Sequence, residues 1–144
     1  MENYLWLVYA LLSAVAAAMV SVFGKIGLQG LDAHTATAVR AVIMAAFFVA
    51  VAVFQRRWEH LPELWADKRA MTFILLSGVA GALSWLFYFT ALKYGKVSQV
   101  APVDKLSVVL AATAAVVFLH ETVSAMSAAG IGLITAGIFL GALG

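Results

Sequence analysis

Asp104 and Lys105 stand side by side in "VSQVAPVDKLSVVLAATAAVVFLHET", the largely apolar stretch from Val97 to Thr122. An ionised side chain at the centre of a lipid-buried helix costs about 3 kcal/mol, so such residues mark candidate ion or proton sites. Arg40 is a third charge of this kind, inside "TATAVRAVIMAAFFVAVAVF", and Lys25 closes the first apolar run. Let side A be the side of the membrane holding the amino terminus and side B the other. At about 1.5 Å per helical residue, Arg40 lies about 8 Å in from side B and Asp104 and Lys105 about 10 Å in. All four charges therefore fall in one depth band. Adjacent helical positions point roughly 100° apart, so Asp104 and Lys105 are not expected to pair with each other. Arg40 is the expected partner of Asp104, while Lys25 and Lys105 could also snorkel to the interface.

His120 and Glu121 open "HETVS", a partial match to the zinc motif H-E-x-x-H, but position 124 is serine and no metal site follows. Glu121 is expected to cap the turn into the next helix. His34 and His60 fall in connections. With no nucleophile–base pattern and no phosphate-cradling glycine loop, neither enzyme nor cofactor is expected.

These residues have to be positioned by spans. Of 144 residues, 65% are hydrophobic and 11% charged, against about half and a quarter in soluble domains. That composition defines an integral membrane protein. It has no cysteine, and its net charge of +2 is spread along the chain, which argues against nucleic-acid partners. A spanning helix needs about 20 apolar residues. Five runs qualify, at roughly 4–24, 35–55, 71–92, 98–119 and 124–143. None alternates as a barrel strand would. The expected fold is all-α, a single five-helix bundle over 1–144. Ala16-Ala17-Ala18 resembles a cleavage site, but Met1-Glu2-Asn3 lacks the positive start of a signal peptide, so the first span is expected to be retained.

The connection over 56–70 contains Trp58, Leu61 and Trp65 at helical spacing. It reads as a short interfacial helix with tryptophan anchors. Small residues form helix faces at Ser77, Gly81, Ser84 and Tyr88, at Ser13, Ala17, Ser21 and Gly24, and at Gly137 and Gly141. Such faces let helices approach closely in lipid. Trp85 and Tyr88 either line a cavity or pack ordinarily.

"GKIGLQGLDAHTATAVRAVI", "LSGVAGALSWLFYFTALKYGKVSQVAPVDKLSVV" and "FLHETVSAMSAAGIGLITAGIFL" together resemble the EamA domain of the drug/metabolite transporter superfamily, in its small five-span bacterial and archaeal form. "APVDKLS" after "ALKYG" is the most specific element. The resemblance implies a small-molecule transporter of the inner membrane, with Lys25, Arg40, Asp104, Lys105 and Glu121 at positions where the subgroup carries the same residue types. In the family's "LxE" ending of the fourth span, His120 replaces a residue that is usually small, often glycine. The superfamily's quaternary-ammonium exporters use a glutamate in their first helix. Here no acid follows Glu2 in that span, so proton-coupled drug exchange does not carry over.

The expectation is a secondary transporter of small amino-acid-like, anionic or zwitterionic metabolites, working by alternating access. The candidate pathway comprises Lys25, Arg40, Ser77, Ser84, Trp85, Tyr88, Asp104, Lys105 and Ser107. Alternatives are a non-transporting helper or scaffold subunit and a lipid-linked sugar flippase. Fused relatives carry two five-helix repeats of inverted topology, so one repeat needs a second copy. Arg56, Arg57, Lys68 and Arg69 lie on side A, and Lys25, Lys93 and Lys96 on side B, joined near that surface by Arg40 and Lys105. That near-balance gives no preferred orientation. It points to dual topology and an antiparallel homodimer, with a parallel dimer or a sister subunit as competitors.

Overall fold

The computed structural model describes residues 4–143. Met1-Glu2-Asn3 and Gly144, inside the expected unit of 1–144, lie outside the described residues. Among those described there are helices and connections but no strand. The helices are α1 (Leu5–Gly27), α2 (Ala33–Phe54), α3 (Leu61–Ala66), α4 (Lys68–Tyr94), α5 (Val97–Asp104), α6 (Leu106–Phe118) and α7 (Ala125–Leu143). α5 and α6 together form one span, so five described helical spans are long and apolar enough to cross a membrane. Every expected span is present, with ends shifted by a few residues. The chain groups into two compact units, one of residues 26–93 and the other of residues 1–25 with 94–144.

In the 26–93 unit, a turn with Gly30 at φ +74° leads into α2. The left-handed backbone there suits a residue without a Cβ. Asp32 caps α2, its carboxylate accepting from the Thr35 amide at 2.8 Å and the Thr35 hydroxyl at 3.0 Å. The amide bond comes first among the causes that hold this carboxyl below the usual carboxylate range. α2 ends where the Gln55 amide donates to Val51 and Arg56 turns left-handed at φ 53°. A 3-10 turn (Arg57–His60) and α3 follow, making the short helical connection expected over 56–70. Trp58 and Trp65 are exposed, as interfacial anchors should be. Asp67 then caps α4, accepting from the Arg69 and Ala70 amides at 3.0 Å each. Phe89 and Leu92 on α4 are buried, whereas Val42, Phe47 and Phe48 on α2 stay exposed, the pattern of a helix facing lipid.

In the other unit α5 and α6 both pack on α7. A Cβ at Gly141 would meet Pro102 Cβ at 3.9 Å, an ordinary van der Waals contact. At Gly78, Gly81, Gly130, Gly132 and Gly137 a Cβ would meet nothing within 4 Å, so these glycines do not mark close backbone crossings. The fourth span was expected to run unbroken over 98–119 and instead divides at Lys105. Pro102, three residues before the break, interrupts the ladder one turn earlier, at the Ser98 carbonyl. The Lys105 amide bonds the Pro102 carbonyl at 3.0 Å, and the Val108 amide bonds the Lys105 carbonyl at 2.9 Å, both three residues back. This tightened turn separates the two pieces.

α6 ends with His120 left-handed at φ 56°, the conformation glycine favours. The Leu119 and Glu121 amides both donate to the Ala115 carbonyl, at 3.0 and 3.2 Å. The turn is made, with histidine strained in it. Glu121 thus closes α6 through its backbone and does not cap α7. Ser124 does, its hydroxyl accepting from the Ser127 amide at 3.1 Å, because serine presents its oxygen close to the free amides of a first turn.

Candidate functional site

In the 26–93 unit, α2 and α4 border a groove of about 610 Å³, a volume typical of small-molecule sites. α2 contributes Thr37, Arg40, Ala41 and Met44, α4 contributes Ser77, Gly78, Gly81 and Trp85, and His34 stands near the start of α2. A smaller hollow of about 410 Å³ follows α2 past Asp32, Thr35 and Val39, and Arg40 borders it too.

Arg40 is half-buried, and its guanidinium lies over two rings. Its Cζ is 3.8 Å from the centre of the Trp85 ring and 4.5 Å from that of Phe89. Cation–π attraction of this kind reaches about 2 kcal/mol when desolvated. One guanidinium nitrogen, Nη2, also contacts Met44 Sδ at 3.4 Å, a weak acceptor. The rings brace one another. Trp85 stacks on Phe89 at 5.7 Å and meets Tyr88 edge-on at 5.9 Å. All of this follows from helical spacing, since Met44 is four residues after Arg40 and Phe89 four after Trp85.

Of the sequence-derived pathway residues in this unit, Arg40, Ser77 and Trp85 line the groove. Tyr88 supports Trp85 from the side, and Ser84 is exposed away from the lining. The sequence reading missed Met44, Phe89 and His34. The first two were detectable at i, i+4 from residues already singled out.

The other unit holds the remaining charges. Lys105 Nζ sits 3.3 Å from Asp104 Oδ2, so these neighbours do pair, contrary to expectation. The rule of 100° separation applies to a continuous helix, and the helix breaks at Lys105. Within its own unit Asp104 meets Lys105, and within its own unit Arg40 meets aromatic rings. Lys25 donates to the Gly95 carbonyl at 2.8 Å, joining the end of α1 to the turn before α5. Ser107 is exposed two residues past the break, and buried Ser21 donates to the Ala17 carbonyl at 3.1 Å. Among the described residues, no three His, Asp or Glu side chains gather as a metal site would require.

Five apolar spans, with ionisable groups inside them, define a multi-pass membrane protein. Residues 4–142 match the model of the EamA-like transporter family. A protein of Sinorhizobium sp, named an uncharacterized transporter in the cobO 3' region, is 39% identical over 135 residues, covering 94% of each chain. No solved structure matches. The chain belongs to the EamA-like transporter family.

Proposed function

We propose that this protein is one five-helix repeat of a secondary transporter of the inner membrane, moving small anionic or zwitterionic, amino-acid-like metabolites by alternating access. The observation that carries this reading is the groove beside Arg40, a cation at membrane depth on the wall of a ligand-sized space, in a chain of a transporter family. Asp104, held by Lys105 at the break in the fourth span, is the candidate coupling group. Discontinuous spans are where secondary transporters hold substrate and coupling ions.

A single repeat needs a partner. Balanced lysine and arginine counts on the two sides favour a second copy inserted in the opposite sense, giving an antiparallel homodimer of dual topology. A carboxy-terminal reporter is expected to read on both sides of the membrane, and a lysine pair added to one side should collapse it to one. A reporter seen on one side only rules out the antiparallel homodimer. Proteoliposomes holding only this protein should take up substrate with a pH dependence that Asp104→Asn removes. Liposomes that fail to move any small metabolite would leave the protein a helper subunit.

A further inference from the structure

We propose that the groove between α2 and α4 binds an apolar monocarboxylate rather than a zwitterion, with Arg40 as the carboxylate receptor. This rests on the transporter reading and names its substrate class. The argument begins with what Arg40 lacks inside its unit. Its guanidinium lies over Trp85 and Phe89, and among the described residues of its unit its hydrogen-bond contact is the Met44 thioether. A guanidinium carries five N–H donors, and a carboxylate accepts two of them in parallel. Arg40 borders the groove, so donors not engaged by Met44 are within reach of a ligand held there. A stacked, weakly bonded arginine on the wall of an apolar space is complementary to one negative charge.

The rest of the lining decides between anion and zwitterion. The groove is bordered by Ala38, Ala41, Met44, Val79, Ala82 and Leu83, and no aspartate or glutamate is among its lining residues. The nearest acid in sequence, Asp32, is engaged by Thr35. An ammonium group would enter this space without a counter-charge, and an unpaired charge in an apolar site is strongly disfavoured. A branched or straight alkyl body meets only hydrocarbon. Trp85, its face already covered by Arg40, gives no special preference for an aromatic one.

Isocaproate, leucine and isocaproamide share one apolar body and differ in charge, as anion, zwitterion and neutral amide. Equilibrium binding of each to the full-length protein is measured in nanodiscs of zwitterionic lipid, then with increasing anionic lipid. Isocaproate should bind saturably, and leucine and isocaproamide about tenfold or more weakly. Arg40→Gln should weaken isocaproate by a similar factor and leave the other two unchanged. Gly78→Leu provides a second variant that leaves the arginine intact. Its new side chain starts in open space on the groove wall, so the helix tolerates it while the groove fills. It should lower affinity for isocaproate with the same thermal stability as the parent. Leucine binding as tightly as isocaproate, isocaproate binding indifferent to both substitutions, or competitive displacement by anionic lipid overturns the assignment. Uptake into liposomes separates this from the broader reading. Transport of a zwitterion that persists in Arg40→Gln leaves a transporter standing and removes only this substrate class.

Discussion

The two units accommodate charge inside a span in opposite ways. In one, α2 runs without interruption past Arg40, and aromatic rings four residues apart on α4 receive the guanidinium. In the other, the helix itself gives way at Lys105, and the carboxylate of Asp104 finds its counter-ion next door. A delocalised cation can be met by the quadrupoles of rings on an intact helix. A compact carboxylate has no such option and needs a cation or free N–H groups. The first arrangement keeps the donor edge of the arginine available to a ligand. The second leaves the carboxylate matched by a cation on the same span.

The largest test of this contrast is Phe89→Ala. Phe89 is buried and holds both Arg40 and Trp85. Its truncation should cost about 3–5 kcal/mol, the range for emptying a buried phenylalanine site, measured by reversible unfolding in mixed micelles. A loss below about 1 kcal/mol would mean that the rings do not hold the arginine. Next comes the pairing itself. A double-mutant cycle of Asp104→Asn with Lys105→Gln should return up to about 1 kcal/mol of coupling, as for a partly exposed ion pair. If the cycle of Asp104→Asn with Arg40→Gln gives the larger coupling, the cross-pairing suggested by the sequence is the dominant one.

A third variant addresses the end of α6. His120→Gly should stabilise the protein by about 1 kcal/mol in the same assay, since it removes a side chain from a left-handed position. Asp32 has the smallest effect, at the start of α2. Its carboxyl is held below the ordinary range by Thr35, so its stabilising contribution is present above the ordinary carboxylate pKa. That contribution is lost as pH falls through the depressed value. Asp32→Asn, which can still cap, should flatten the acid limb of the thermal-unfolding profile. An unchanged limb would show that the cap bond carries no charge-dependent stability.

Much of this was legible in the residues. Length and apolarity located five spans, and Trp58, Leu61 and Trp65 marked a short helical connection, because those signals rest on composition and period alone. Arg40 was singled out by charge and depth, Ser77 by its helix face and Trp85 by type, and all three line one groove. What the sequence hid was local geometry. Pro102 was in plain view, but its missing N–H acts on the Ser98 carbonyl one turn earlier, and the tightened turn at Lys105 could not be read from it. The break changed which charges could touch. Glu121 was the expected cap, and the left-handed turn at His120 instead leaves Ser124 to cap α7.

Helix length has a separate consequence. α4 has 27 residues and α7 has 19, which at the usual rise gives about 40 Å and about 28 Å. A hydrocarbon layer about 30 Å thick fits the second upright, while the first must lean or emerge at its ends. Thinner bilayers increase that lean, and thicker ones instead compress lipid around α7. Acyl-chain length thus becomes a mechanical input to the groove wall that Trp85 and Ser77 form, so substrate affinity should vary with the lipid in which the protein is placed.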